Sequence, residues 1–427
     1  MENTVEAQLR RELEQERSDA KSEAGVEGGG RMGVRVLDLT RVLAGPFCTM
    51  LLADMGADVI KLELPGIGDD ARQFPPFKDG VSLYYVNLNR GKRSITLNLK
   101  NAEGKKVFLD LVRKCDVVIE NFSPGTMDRI GLGYEKLKEV NPRIVYAAIS
   151  GFGQTGRYKS RPGYDIISQA MSGLMSITGW PDSPPTRAGT AIGDMTCALF
   201  TCVGVLSALQ VRRTTGQGQL VDVALVDSLF TTMSQHVQKI FIEDAVPSRI
   251  GNRYEFIAPY DSFKAADGWV IIAVANDAIW QRFVACTAGA LGMATEIADP
   301  TFNTNPKRLE NHAQLKVLVE GWTSQHKIED IVTLLLENRI PACPIKELAD
   351  VANDQHVAHD RKMIVEVEQP EIGTVKLMGN PVKMSHTNPC PRGPAPVLGQ
   401  HNSEVLRELL GLSADAIAAL KQQGVFD

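Results

Sequence analysis

Short apolar runs alternate with stretches of helical period through the first half of the chain. Val34-Arg-Val-Leu-Asp38, Val59-Ile-Lys-Leu-Glu63, Ser94–Leu99, Val117–Glu120 and Ile144–Ser150 read as buried strands. Gly45-Pro46 opens a helix to about Met55, with proline in its first turn. Ala102–Arg113 carries a second helical pattern. Strands that alternate with helices predict a doubly wound parallel sheet, the α/β class. Further on, Gln219–Val223 precedes a helical run, Asp227–Phe241, and the turn-rich segment 242–265 reads as a crossover. A smaller α+β unit follows, with a strand at Trp269–Val274 and helices near 277–292, 307–325 and 327–338. Short strands return at Ile364–Val367 and Thr374–Met378, and helices at 403–410 and 414–423 end the chain. The predicted division is therefore 32–225 for the first part of the large domain, 226–250 for a linker, 251–340 for the small α+β domain, and 341–427 for the return. Residues 1–31 are charged, then glycine-rich, and read as a disordered or frayed helical extension.

The stretch from Ile144 to Gly216 organises the rest. A buried strand runs into Gly151-Phe-Gly-Gln-Thr-Gly156, a basic proline-broken turn follows, and a helical pattern begins near Gly163-Tyr-Asp165. A polar loop with Pro181, Pro184 and Pro185 leads to Ala191-Ile-Gly-Asp194. From Asp194 to about Arg213 an apolar helix places Met195, Leu199, Cys202, Val203, Leu206 and Leu209 near one face. A carboxylate on its first turn meets the positive end of the helix dipole and is expected to stay ionised; as plain structure, Asp194 reads as a helix N-cap.

Composition narrows the partners. The net charge of −5 over 427 residues suggests neither nucleic acid nor an anionic membrane, so an anionic ligand must meet local basic groups. Seven scattered cysteines make no C-x-x-C pair, which points to reduced thiols and a cytoplasmic protein. The apolar run Cys197–Leu209 is too short to span a membrane. The amino-terminal residues are too acidic for a mitochondrial presequence.

Several motifs fail on context. Gly151–Gly156 matches G-x-G-x-x-G after a strand, but Pro162 blocks the helix that should hold the pyrophosphate. Gly91-Lys-Arg-Ser94 lacks the first glycine of a P-loop, having Val86 there, and carries Arg93 where serine or threonine belongs. The seven histidines form no H-E-x-x-H, and no G-x-S-x-G elbow appears. No metal site is expected.

Taken together, Val36-Leu-Asp-Leu-Thr-Arg-Val-Leu-Ala-Gly-Pro-Phe47, Gly56–Glu63, Asn89–Ser94, Val118–Gly125, Gly151–Gly156, Gly163-Tyr-Asp165, Gly193-Asp194 and Leu398-Gly-Gln-His401 run in order along the chain. This series resembles the family III CoA-transferases, also called the CaiB/BaiF family. The resemblance implies a Rossmann-like large domain with a smaller domain, assembled as an interlocked homodimer. It implies Asp194 as the nucleophile, with an aspartyl anhydride and an aspartyl-CoA thioester as intermediates. Coenzyme A is then a substrate carried as a thioester, and no cofactor is tightly bound. By position, Val42, Leu43, Ala44, Gly45, Leu97, Lys100, Asn121, Phe122 and Arg129 would line the CoA site, and Tyr164 and Asp165 would lie beside the nucleophile.

Leu43 stands where formyl-CoA:oxalate enzymes of this family carry glutamine, and Gly251-Asn-Arg-Tyr254 replaces their polyglycine loop. The resemblance therefore points toward succinyl-CoA as donor and a longer dicarboxylic acid as acceptor. The alternative is an α-methylacyl-CoA racemase, similar over the same segments. Its histidine base would fall at Tyr164, and tyrosine titrates too high to act as a base at neutral pH.

Overall fold

The computed structural model describes residues 32–290 and 295–427, so the expected extension at 1–31 lies outside the described residues. The chain divides into two compact units. The first gathers the described residues up to Ser172 with Gly189–Ser234 and Gln355–Asp427, and the second holds Gly173–Ala188 and Gln235–Asp354.

The first unit is built on six strands: β1 (Arg35–Asp38), β2 (Asp58–Glu63), β3 (Arg93–Thr96), β4 (Val117–Glu120), β5 (Val145–Ser150) and β6 (Leu220–Ala224). They pair in parallel in the order β3-β2-β1-β4-β5-β6, so the direction of winding reverses between β1 and β4. In such sheets, ligands bind beyond the carboxyl ends of the strands at that reversal. Both faces are covered, which explains why the strands read as continuous apolar runs. Leu37, Ile60, Val118 and Tyr146 pack on one side with Phe108, Leu111, Leu137 and Val405. Val36, Val59, Ile119 and Ala147 pack on the other with Cys48, Leu52, Cys197 and Val205.

The helices of this unit are α1 (Ala44–Asp54), α2 (Leu83–Asn89), α3 (Ala102–Val112), α4 (Tyr134–Val140), α5 (Asp165–Met171), α6 (Ile192–Thr215) and α7 (Leu225–Thr232). Helix α6 begins two residues earlier than its apolar pattern suggests, and Gly216 ends it in the left-handed conformation. Its packed face is Cys197, Ala198, Thr201, Cys202, Val205, Ala208 and Leu209, while Leu199 and Val203 of the expected stripe lie exposed. Small residues decide this, because they let α6 lie close against α1 and the sheet. The whole helix is longer than the run Cys197–Leu209 and, by length and composition alone, could cross a membrane; one face is nevertheless spent on the core.

The second unit carries a short helix α8 (Ser234–Glu243, from Gln235 on) and an antiparallel sheet of β7 (Tyr260–Ala265), β8 (Gly268–Ala273) and β9 (Ala342–Pro344), in the order β9-β8-β7. Strand β7 falls in the segment expected to be a crossover. Helices α9 (Asp277–Ala290), α10 (His312–Thr323) and α11 (Ile328–Glu337) accompany it. Phe263, Phe283, Phe302, Trp280 and Trp322 fill the core. Back in the first unit, β10 (Ile364–Gln369) pairs antiparallel with β11 (Gly373–Met378), and α12 (Asn402–Leu410) and α13 (Ala414–Gln422) close the chain.

Arg308 organises the second unit. It is fully buried, and its guanidinium donates to the Ala258 and Phe302 carbonyls (2.6 and 2.9 Å) and to Asp277 (2.7 Å). Replacing it takes the donor from two carbonyls, while half-exposed Asp277 can turn to water. Arg308→Met is expected to cost about 3–5 kcal/mol, seen as an earlier chemical-denaturation transition reported by tryptophan fluorescence.

Candidate active site

The reversal between β1 and β4 rests on buried charge. Asp38, at the end of β1, accepts from Thr40 N (2.9 Å), Thr40 Oγ1, Thr49 Oγ1 (2.6 Å) and Lys92 Nζ (3.0 Å). Burial would raise its pKa, but Lys92 and Lys61 outweigh that and hold it at about 2. Lys61, on β2, donates to the Thr40 carbonyl (2.8 Å) and sits 2.9 Å from Asp69 Oδ2. Against its burial, Asp69 is in turn held below the usual carboxylate range by the Lys61 charge. All these side chains are essentially inaccessible to water. The basic run Asn89–Ser94, reminiscent of a P-loop end, is spent on this framework: Arg90 pairs with Asp54, Lys92 with Asp38, Arg93 with Asp58, and Ser94 bonds Glu63.

Above this framework the loop from Thr40 to Leu43 turns sharply. Val42 adopts φ +67°, a left-handed conformation that costs a β-branched residue about 1–3 kcal/mol. Its N–H is held by Asp69 Oδ1 at 3.0 Å, and Asp69 also caps the turn at Ala71 (2.9 Å). Gly45 is required because a Cβ there would lie 2.2 Å from that of Thr40. Helix α1 then starts with no side-chain cap. Across the crevice, Asn121 clasps Arg41 at both ends: Arg41 N donates to Oδ1 and Nδ2 donates to the Arg41 carbonyl, both at 2.8 Å.

The nucleophile candidate reaches the site through a crossing of glycines. A Cβ on Gly151 would lie 2.6 Å from the Gly163 Cα, so only glycine at both positions lets the chain double back beside β5. That crossing delivers Asp165 to the start of α6, where its Oδ1 accepts Gly193 N–H at 2.8 Å. Asp165 thus caps α6 from outside, and Asp194 is not the N-cap; it occupies the third position of the first turn. Gly193 has no room for a side chain, since a Cβ would lie 2.6 Å from Ser168 Oγ.

The electrostatics correct the sequence expectation. Burial, and then the Asp165 carboxylate, push Asp194 up to about 7, against the helix-dipole argument for a permanently ionised group. Among the described residues no hydrogen bond or ion pair engages its carboxylate. Tyr84, on α2, feels both Asp194 and Asp69; burial first and those charges second raise its hydroxyl to about 12. Tyr84 has no sequence signature, yet its hydroxyl feels the charges of both Asp194 and Asp69. Beneath the Asn121 turn, Glu120 accepts from Phe122 N (2.6 Å) and Tyr146 Oη (3.2 Å), yet burial holds it near 7.

The remaining expected residues divide clearly. Val42, Leu43, Ala44 and Asn121 meet at the reversal, and Phe122 joins them with the Arg41 guanidinium 5.5 Å over its ring. Asn121 spends its amide on Arg41 and so acts by positioning the loop. Leu97 is 2% exposed and its side chain belongs to the core, leaving only its main chain to meet a ligand. Lys100 is exposed, and Arg129 folds back on Thr126 Oγ1 (2.7 Å). Asp165 joins Asp194, whereas the Tyr164 side chain is 75% exposed.

Three stability outcomes follow. Asp69→Ala unpairs buried Lys61 and is expected to cost about 3–5 kcal/mol in chemical denaturation, whereas Val42→Gly relieves strain and stays within about 1 kcal/mol of wild type. The unfolded Asp194 carboxyl titrates near 3.8 and the folded one near 7, so stability present below pH 4 is lost as pH rises to 7. Asp194→Asn should therefore be more stable than wild type by about 2 kcal/mol at pH 8, with the gap closing towards pH 4 in thermal melts.

The model for CoA-transferase family III matches residues 32–402. Among curated proteins, the succinyl-CoA:mesaconate CoA-transferase of Haloarcula marismortui is 43% identical, over 88% of this chain and 95% of its own. The acetyl-CoA:oxalate CoA-transferase of Acetobacter aceti is 40% identical, over 88% and 95%. Among solved structures, a CaiB/BaiF family protein from Brucella suis superposes with a TM-score of 0.77 at 37% identity, covering 88% of this chain and 98% of that one. With Asp194 at the head of α6 and the β1–β4 crevice beside it, the chain belongs to CoA-transferase family III and is an enzyme of that class.

Proposed function

We propose that the enzyme moves CoA from succinyl-CoA to a dicarboxylic acid acceptor, with Asp194 as the nucleophile. The observation that carries this reading is a half-buried carboxylate on the first turn of α6, with no cation or hydrogen-bond partner among the described residues. Its ionised form attacks the thioester carbonyl and the carbon–sulfur bond breaks, giving an aspartyl–acyl anhydride and CoA thiolate. The thiolate then attacks the aspartyl carbonyl, releasing the donor acid and leaving an aspartyl-CoA thioester. The acceptor carboxylate repeats the exchange in reverse, and CoA leaves on the acceptor. No base is needed at any step, because every nucleophile enters as an anion.

In this reading coenzyme A enters as a substrate and is held along the crevice. Lys100 and Arg129 offer charged donors to its phosphates, and the Arg41–Phe122 pair offers a planar surface for its adenine. The uncapped start of α1 leaves the Ala44 and Gly45 N–H groups for developing negative charge at the thioester oxygen. Leu43, an apolar group at the mouth of this loop, favours an acceptor with a carbon chain between its carboxyls. The names of the relatives support dicarboxylic acids as a class and include both mesaconate and oxalate.

The working form in this proposal is an interlocked homodimer. Leu199 and Val203 are 51% and 60% exposed on α6, and Phe241 and Ile242 are 71% and 78% exposed on α8. Exposed apolar stripes of this kind mark association surfaces. Free thiols throughout suit a reducing, cytoplasmic setting.

Three measurements test the proposal. Asp194→Asn should lower kcat with succinyl-CoA and mesaconate by about a thousandfold or more; retained turnover contradicts it. For wild type, kcat/KM should rise about tenfold per pH unit below about 7 and level off above, as Asp194 ionises. Mesaconate should be used with a higher kcat/KM than oxalate, and Leu43→Gln should narrow that difference. Loss of an α-hydrogen to deuterated solvent without thiol exchange would instead support racemase chemistry.

A further inference from the structure

A second site lies at the opposite end of α1. The helix spans eleven residues, so its Asp54 end is about 16 Å from the Val42 loop. There a cavity of 260 Å³ is lined by Arg361, Lys362, Lys383, Asn380 and Asn388.

The cationic groups in it are fixed from below. Asp54 is buried and pairs with buried Arg90 at 2.8 Å. Its Oδ2 also accepts Asn380 Nδ2 at 3.2 Å, and its carbonyl accepts Cys390 N at 3.2 Å. Asn380 is 2% exposed, and its Oδ1 accepts Val382 N at 3.0 Å. Its carbonyl accepts Lys383 Nζ at 2.6 Å, which anchors that ammonium at the cavity wall. Across from it the chain makes a tight turn, with Arg361 N bonded to the His356 carbonyl (2.8 Å) and Lys362 at φ +51°. Gly379 accommodates this turn, because a Cβ there would lie 2.0 Å from the Lys362 carbonyl oxygen.

Three positive side chains thus converge with little to neutralise them. Among the described residues none of Arg361, Lys362 and Lys383 makes an ion pair. Asp360 also lines the cavity, its Oδ1 accepting from Gln355 Nε2 at 3.1 Å, so one carboxylate stands against three cations. Burial first, then Arg361 and Lys362, pull the Lys383 ammonium below its ordinary pKa. Like charges held together on a rigid base carry a standing repulsion, and an anion seated between them removes it.

We propose that this cavity binds a phosphoryl dianion, with Arg361, Lys362 and Lys383 as its charged donors and Asn380 and Asn388 beside them. Arg361 offers the bidentate geometry that a phosphate takes, and the two lysines act as point charges. The volume exceeds that of a bare phosphate, so the group can arrive as inorganic phosphate or on a small phosphate monoester.

The test uses the full-length enzyme in calorimetric titrations with inorganic phosphate and, separately, with AMP. Wild type is compared with Arg361→Gln and Lys383→Gln, both at exposed positions outside the catalytic crevice. The expected result is saturable binding that each substitution weakens by about tenfold or more, with an unchanged KM for acyl-CoA. Tighter binding of AMP identifies a monoester as the source, and equal binding identifies the free ion. As an independent readout, the Lys383 resonance of the carbon-13-methylated protein should titrate at higher pH when phosphate is present. Absence of saturable binding, or binding that neither substitution changes, overturns the proposal.

Discussion

Lys61 is the constraint on which the site depends. A fully buried ammonium is tolerated only because Asp38 and Asp69 flank it, and those carboxylates are fixed in turn by the pieces of chain they serve. Asp38 fixes Thr40 and, through Thr49, the body of α1. Asp69 fixes Val42 in a conformation that valine does not choose. The loop at the β1–β4 reversal is thereby held from both ends by charges that water cannot reach. Coulombic attraction between such groups is strong and slow to relax, which suits a loop that must keep its shape while a long flexible substrate enters and leaves.

The proposed nucleophile is built on the opposite principle. Asp194 receives burial and the repulsion of Asp165 but no compensating cation. A carboxylate with a raised pKa is a better nucleophile than an ordinary one, at the cost of a smaller ionised fraction. A value near 7 keeps both factors useful around neutral pH. Asp165 serves twice in this arrangement, since it caps α6 through Gly193 and unsettles the neighbouring carboxylate. The same residue therefore stabilises the helix and destabilises the group that the helix presents, which is how strain collects at functional positions.

Much of this was legible in the sequence, for identifiable reasons. Five strands of the large sheet announced themselves because both faces are covered, whereas the edge strand β6, half exposed and carrying Asp222, did not. The failure of the G-x-G-x-x-G reading was also visible, since Pro162 forbids the helix and the structure shows turns up to Asp165. Other features could not be read. Strand β7 hides among turn residues, because its pairing with β8 is set by tertiary contact more than by a clean alternation. The buried face of α6 is chosen by Cys197, Ala198, Thr201 and Ala208, small residues whose value lies in close approach rather than hydrophobicity. Tyr84 feels the Asp194 charge from a helix with no motif. Lys92 and Arg93, in a run that fails as a P-loop, are partners of Asp38 and Asp58, a role the sequence could not show because charge pairing across distant segments leaves no local pattern. The family resemblance singled out Asn121, but only geometry shows that its amide is committed to Arg41.

The central claim is that the Asp194 carboxylate becomes covalently part of each turnover. If it does, one oxygen of the acceptor acid must remain on it when the product thioester departs. The direct measurement is the mass of the peptide bearing Asp194 after turnover with an oxygen-18-labelled dicarboxylic acid and unlabelled succinyl-CoA. The account predicts that heavy oxygen accumulates in that peptide, up to both carboxylate positions, and in no other aspartate or glutamate. Labelled acyl-CoA product formed while the Asp194 peptide keeps its natural mass would contradict it.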